Sequence, residues 1–181
     1  MNDWLFPDEI DAHLASGDPT RVATGLRALV DHLDAGDTWP MPFQAPPIPA
    51  DAPSAVLLDL LRVWTSWDWA PPVPPEHVRA LLVDQAGAHA DPRFVYEVAL
   101  ELRITRDPAV ITAAVERIAS GSGPIEGHAA LIGHLLDGAP VVRGATVAAL
   151  AAGRATPRVQ ALLARIRPVL TPAEYATVTT A

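Results

Sequence analysis

Six prolines divide the second half of this chain at nearly equal intervals: Pro92, Pro108, Pro124 and Pro140 are each 16 residues apart, and Pro157 and Pro172 follow at 17 and 15. Proline suits the first helical position, because its ring presets φ and its missing N–H would have had no intrahelical partner there. Each rung therefore predicts a helix start. The preceding residues agree: Asp91, Asp107, Thr156 and Thr171 carry side-chain oxygens that can accept a free first-turn N–H, and Gly123 and Ala139 are weaker versions. Each interval holds one helix of three to four turns and a short turn, so two intervals make an antiparallel helical hairpin.

Between the rungs, apolar residues recur at helical rather than strand spacing. Val110, Ile111, Ala114, Val115 and Ile118 form one stripe, with Glu116 and Arg117 opposite; Val159, Leu162, Leu163 and Ile166 form another, with Arg158 and Arg165 on the other side. The stretch over 141–153 is apolar almost all round and that over 94–104 nearly so, which predicts that these two helices are the buried ones. Upstream, Pro75 opens a helical pattern over 76–90, Pro53 one from Ser54, and Asp18-Pro19 one ending near Gly36. A short helix over 7–16 precedes them. Two proline-rich segments, 37–53 and 68–76, exclude regular helix; the first, rich in Trp, Met, Phe and Ile, reads as an ordered crossover. The expectation is one all-α domain over 1–181, irregular over 1–91 and regular over 92–181, with nine or ten helices and no strand.

Mean hydropathy is +0.20, yet no window reaches the roughly 18 apolar residues of a bilayer span. The acidic start of the chain lacks the basic and apolar regions of a secretory signal, so a cytoplasmic address is expected. With no Cys, thiolate metal sites, disulfides and Cys nucleophiles are excluded. All 13 basic residues are Arg against 21 acids, and residues 1–91 carry 14 of those acids against four Arg. That balance repels phosphate and disfavours generic nucleic-acid binding. It suits an acidic docking surface for a basic protein.

The segments 94–120 and 141–166 resemble HEAT-like repeats of the short variety. In that pattern a first helix with a Val-Arg pair and an Ala-rich face, as at 141–153 with Val142-Arg143, is followed by Asp-Pro and a second helix of the AVITAAVERI kind, here entered through Asp107-Pro108 or, without the acid, Thr156-Pro157. The pair period of 32 residues is shorter than the roughly 40–47 of standard units. The resemblance implies a right-handed α-solenoid offering a concave face to a partner.

Catalytic signatures are lacking: no GxSxG, HExxH, P-loop or GxGxxG occurs. His128 and His134 lie too far apart round one helix to share a metal ion, Glu97 and Glu101 form an i,i+4 pair on an apolar helix, and GSGP over 121–124 is an inter-helix turn with a weak capacity for anions. No cofactor, metal or catalytic residue is expected. Three features suit binding better. Asp31 and Asp34 lie on the helix that Pro19 opens, Trp67 and Trp69 stand where a helix runs into a proline-rich loop, and Arg158 and Arg165 sit two turns apart as a basic stripe opposite the apolar face. The leading expectation is a non-enzymatic scaffold for another, basic protein. An adaptor fits, as does an immunity or antitoxin protein covering a basic active site. The alternative is a nucleic-acid-binding HEAT-like protein that resembles the alkylpurine DNA glycosylases in repeat type and uses the C-terminal Arg stripe.

Overall fold

Capping chemistry sets the helix boundaries. The Asp18 carboxylate accepts the N–H groups of Thr20 and Arg21, Asp91 that of Arg93, Asp107 that of Ala109, Thr156 that of Val159 and Thr171 that of Glu174. Each such cap is worth about 1 kcal/mol. In the computed structural model, which describes residues 5–37, 46, 52–66, 76–88 and 91–180, the helices are α1 (Pro7–Leu14), α2 (Pro19–Ala35), α3 (Ser54–Ser66), α4 (Glu76–Ala88), α5 (Pro92–Thr105), α6 (Pro108–Ser120), α7 (Ile125–Leu136), α8 (Pro140–Ala152), α9 (Pro157–Ile166) and α10 (Pro172–Thr179), with one 3-10 turn at Arg167–Val169. The described residues contain no strand, and no helix among them is long and apolar enough to cross a membrane. Five of the six proline rungs open a helix as the spacing predicts. Pro124 is the exception: it takes an extended ψ of 142° as the N-cap, and α7 starts one residue later.

The chain forms two compact units, Met1–Pro74 and Pro75–Ala181. In the first, α2 packs against both α1 and α3 round a core of Ile10, Val22, Leu26, Leu29, Val30, Leu60 and Val63. His32, near the end of α2, faces two oxygen acceptors, with Nδ1 at 2.7 Å from Asp37 and Nε2 at 2.9 Å from the Leu5 carbonyl. This pins the residue leading into α1 against the end of α2.

In the second unit the most extensive packing of most helices skips one helix: α5 lies against α7, α6 against α8, α7 against α9 and α8 against α10, whereas α4 lies against both α6 and α7. Sequence neighbours, expected as hairpin partners, touch less, apart from α7 and α8. The most enclosed helix is also not one of the two that their composition suggested. Leu131, Ile132, Leu135 and Leu136 of α7 are all fully buried, with α4, α5, α8 and α9 around them, and each such side chain contributes roughly 1.5–3 kcal/mol by leaving water. By contrast α8 leaves Val141, Gly144, Ala148 and Ala152 exposed. Small apolar residues on a solvent face cost little, so an all-apolar reading overstated its burial. Where α4 crosses α7, a Cβ on Gly127 would lie 2.1 Å from the Ala86 carbonyl oxygen. Glycine is needed there because backbone meets backbone.

Candidate functional site

On the first unit, the two acids expected to dock a partner already have internal partners. Asp31 lies 3.4 Å from Arg27 one turn earlier, and Arg27 reaches Asp59 of α3 at the same distance. Asp34 pairs with Arg62. These contacts lace α2 to α3, but Asp31 and Asp34 remain 44% and 49% exposed, so each pair contributes at most about 1 kcal/mol and exchanges readily with an external cation. Asp59 is more enclosed, and burial raises its carboxyl above the usual range despite the lowering influence of Arg27 and Arg62. Trp67 and Trp69 lie outside the described residues.

Arg158 and Arg165 do not form a free stripe. Arg158 turns inward and donates to three acceptors: the Ile118 carbonyl at the end of α6 (2.6 Å), the Gly123 carbonyl in the α6–α7 turn (2.9 Å) and Nδ1 of His128 (2.7 Å). Arg158 therefore takes part in the packing rather than standing as a stripe opposite the apolar face. The helical wheel places a side chain on a face but does not reveal that a long guanidinium bends back to carbonyls at a neighbouring helix end. The GSGP turn thus faces a cation rather than an anion. Arg165, well exposed, pairs with Glu126 at 3.1 Å. The other arginines of this end are also engaged: Arg154 donates to the Ala151 carbonyl, Arg167 lies over the Tyr175 ring, and Arg143 grips Glu174 with two nitrogens at 2.6 and 2.7 Å while also donating to the carbonyls of Leu136 and Val169. The Arg143 hydrogen bonds, helped by the Thr171 backbone, lower the Glu174 carboxyl to about 2.

His128 is the residue that sequence reasoning undervalued. It is 3% exposed, and Nε2 lies 2.9 Å from the Val83 carbonyl of α4. Its ring occupies the space where a side chain on Gly87 would stand, since a Cβ there would lie 2.3 Å from Cε1. The available signal was glycine inside a helical pattern, at 87 and at 127, where roughly 1 kcal/mol of helix propensity is given up for close packing.

A cleft of about 100 Å³ opens between α4 and α6, floored by Val83, Leu102, Val110 and Ala114, with Arg79 and Arg117 at its edge. Arg117 closes one side by binding both oxygens of Asp84, at 2.7 and 2.5 Å. Of the Glu97 and Glu101 pair, Glu101 is 7% exposed, and burial raises its carboxyl. No group of three or more His, Asp or Glu among the described residues has the arrangement to hold a metal ion. His134 stacks edge-on with Tyr96, their centroids 5.5 Å apart.

Comparison with known protein families, with characterised proteins and with solved structures found no match to this chain.

Proposed function

We propose that this protein is a non-enzymatic binding scaffold, a short-repeat helical stack of the HEAT-like kind whose acidic first unit docks a basic protein. One observation carries the reading. Residues 1–74 hold eleven acids against three Arg, a balance of −8, while residues 75–181 hold ten of each. All of the net charge therefore belongs to one of the two units. A surface field of one sign accelerates encounter with an oppositely charged partner and selects against others. Asp31 and Asp34 are the contact residues in this reading, because their exposed pairs with Arg27 and Arg62 exchange for a partner's cations at little cost. The packing of α5, α6, α7 and α8 each on the second helix along supports reading the second unit as a stack of helices. Glycosylase-like use of the C-terminal arginines gains less support, since the second unit carries no net positive charge and Arg158 is committed to the Ile118, Gly123 and His128 acceptors.

The test is affinity capture from the native host at about 50 mM salt, with the Asp31→Arg, Asp34→Arg double variant run alongside. The expected result is a basic protein retained by the wild type, released at about 200 mM salt as the Debye length shortens and absent from the variant. Either an empty capture at low salt or a partner that ignores the double variant refutes the reading.

A further inference from the structure

The guanidinium of Arg158 has only N–H donors and no acceptor, so Nδ1 of His128, 2.7 Å away, must be the acceptor. The ring proton then sits on Nε2 and is donated to the Val83 carbonyl at 2.9 Å. One tautomer of the uncharged imidazole satisfies both contacts. A second proton would go to Nδ1, where it would meet an N–H of a permanent cation. The ring has no room to turn away, because it lies against the bare backbone of Gly87.

We propose that Arg158 and His128 form an acid-sensitive latch: with the ring uncharged they tie α9 to α4, α6 and α7, and a proton on Nδ1 breaks the tie and loosens α9. The same guanidinium holds the Ile118 and Gly123 carbonyls, so its displacement also removes the cation from the end of α6 and the α6–α7 turn. What the latch keeps covered is the apolar side of α9, formed by Val159, Leu162, Leu163 and Ile166.

The surroundings agree with this assignment. Burial lowers the His128 ring from its ordinary range, and Arg158 adds to that effect, while the Val83 carbonyl and Asp84 oppose it. Asp84 of α4 is itself held by Arg117 of α6, which limits what it offers an imidazolium. From the neighbours α5 and α8, Tyr96 meets His134, Arg103 reaches the Asp137 carbonyl and Arg143 the Leu136 carbonyl; α5 also carries the buried Glu101, and Glu126 of α7, two residues before His128, is paired with Arg165 of α9. Because the folded-state value lies below the unfolded one, the unfolded or opened state takes up the proton first. Stability from this group is complete above about pH 6.5 and declines as pH falls toward the folded value.

Amide hydrogen exchange of the full chain, corrected for intrinsic rates, tests the latch between pH 7.5 and 5 beside a nitrogen-15 NMR titration of the imidazoles. The expected result is that His128 is the Nε2–H tautomer at pH 7 and that α9 opening grows by up to tenfold per pH unit below 6.5. In His128→Gln, whose amide can donate to Val83 and accept from Arg158 without titrating, that growth should disappear. If the variant does not fold, the wild-type titration still decides. A His128 ring that protonates at or above pH 6.5 in the folded protein, or that protonates while α9 protection stays constant, overturns the proposal.

Discussion

Replacing Gly87 by Ala reverses the usual sign of a glycine substitution in a helix. Alanine in a helix interior is normally favoured over glycine by about 1 kcal/mol. At position 87 the new Cβ would stand 2.3 Å from Cε1, 2.5 Å from Nε2 and 2.7 Å from Nδ1 of His128. Carbon atoms need about 3.5 Å, so the ring must retreat by roughly 1.2 Å. Moving away from α4 breaks the 2.9 Å bond to Val83, and a buried donor left unsatisfied costs about 1–3 kcal/mol. Crowding of the displaced ring adds about 1–3 kcal/mol. After subtracting the propensity gain, Gly87→Ala should destabilise by about 1–5 kcal/mol. The controls are Gly133→Ala in α7 and Gly144→Ala in α8, where an added Cβ meets nothing within 4 Å; these should stabilise by up to about 1 kcal/mol. Urea denaturation at pH 7.5 followed by circular dichroism reads all three. A Gly87→Ala midpoint equal to or above wild type would show that the ring is not wedged against α4 and would refute the packing argument.

Two carboxylates should answer to pH with opposite signs. Glu174 is lowered to about 2 by Arg143 and the Thr171 backbone, so its contribution is present above about pH 4.5 and lost as pH falls toward 2; Glu174→Gln should cost about 2 kcal/mol at pH 7 and flatten the acid limb of a stability profile. Glu101 is raised by burial, so its ionisation opposes folding as pH rises above about 4.5; Glu101→Gln should gain on the order of 1 kcal/mol at pH 7 and nothing below pH 4, measured by the same denaturation series.

Local rules carried the reading of the helices because each depends on a few adjacent residues. Asp91, Asp107, Thr156 and Thr171 cap the helices their prolines open, and the buried stripes of α6 and α9 are the expected Val110, Ile111, Ala114, Val115, Ile118 and Val159, Leu162, Leu163, Ile166. The acid surplus of the first unit was equally readable, since formal charge is a property of composition. Periodicity failed where it had to rank one apolar helix against another. It favoured α8, whose Gly144, Ala148 and Ala152 face outward, over α7, whose two histidines and Glu126 hid a helix enclosed by four neighbours.

Proline spacing, capping residues and hydrophobic period were enough to establish an all-α chain and most of its helix starts, because those signals act within one or two turns. Which polar side chains are free was settled by contacts between residues far apart in sequence. Arg158 finds Ile118, Gly123 and His128 at separations of 40, 35 and 30 residues, and Arg143 finds Glu174 at 31. A helical wheel assigns such an arginine to solvent, whereas the fold brings it within reach of carbonyls at a helix end and in the turn that follows, which can still accept from it. A guanidinium that can satisfy several acceptors at once turns inward when packing presents them together.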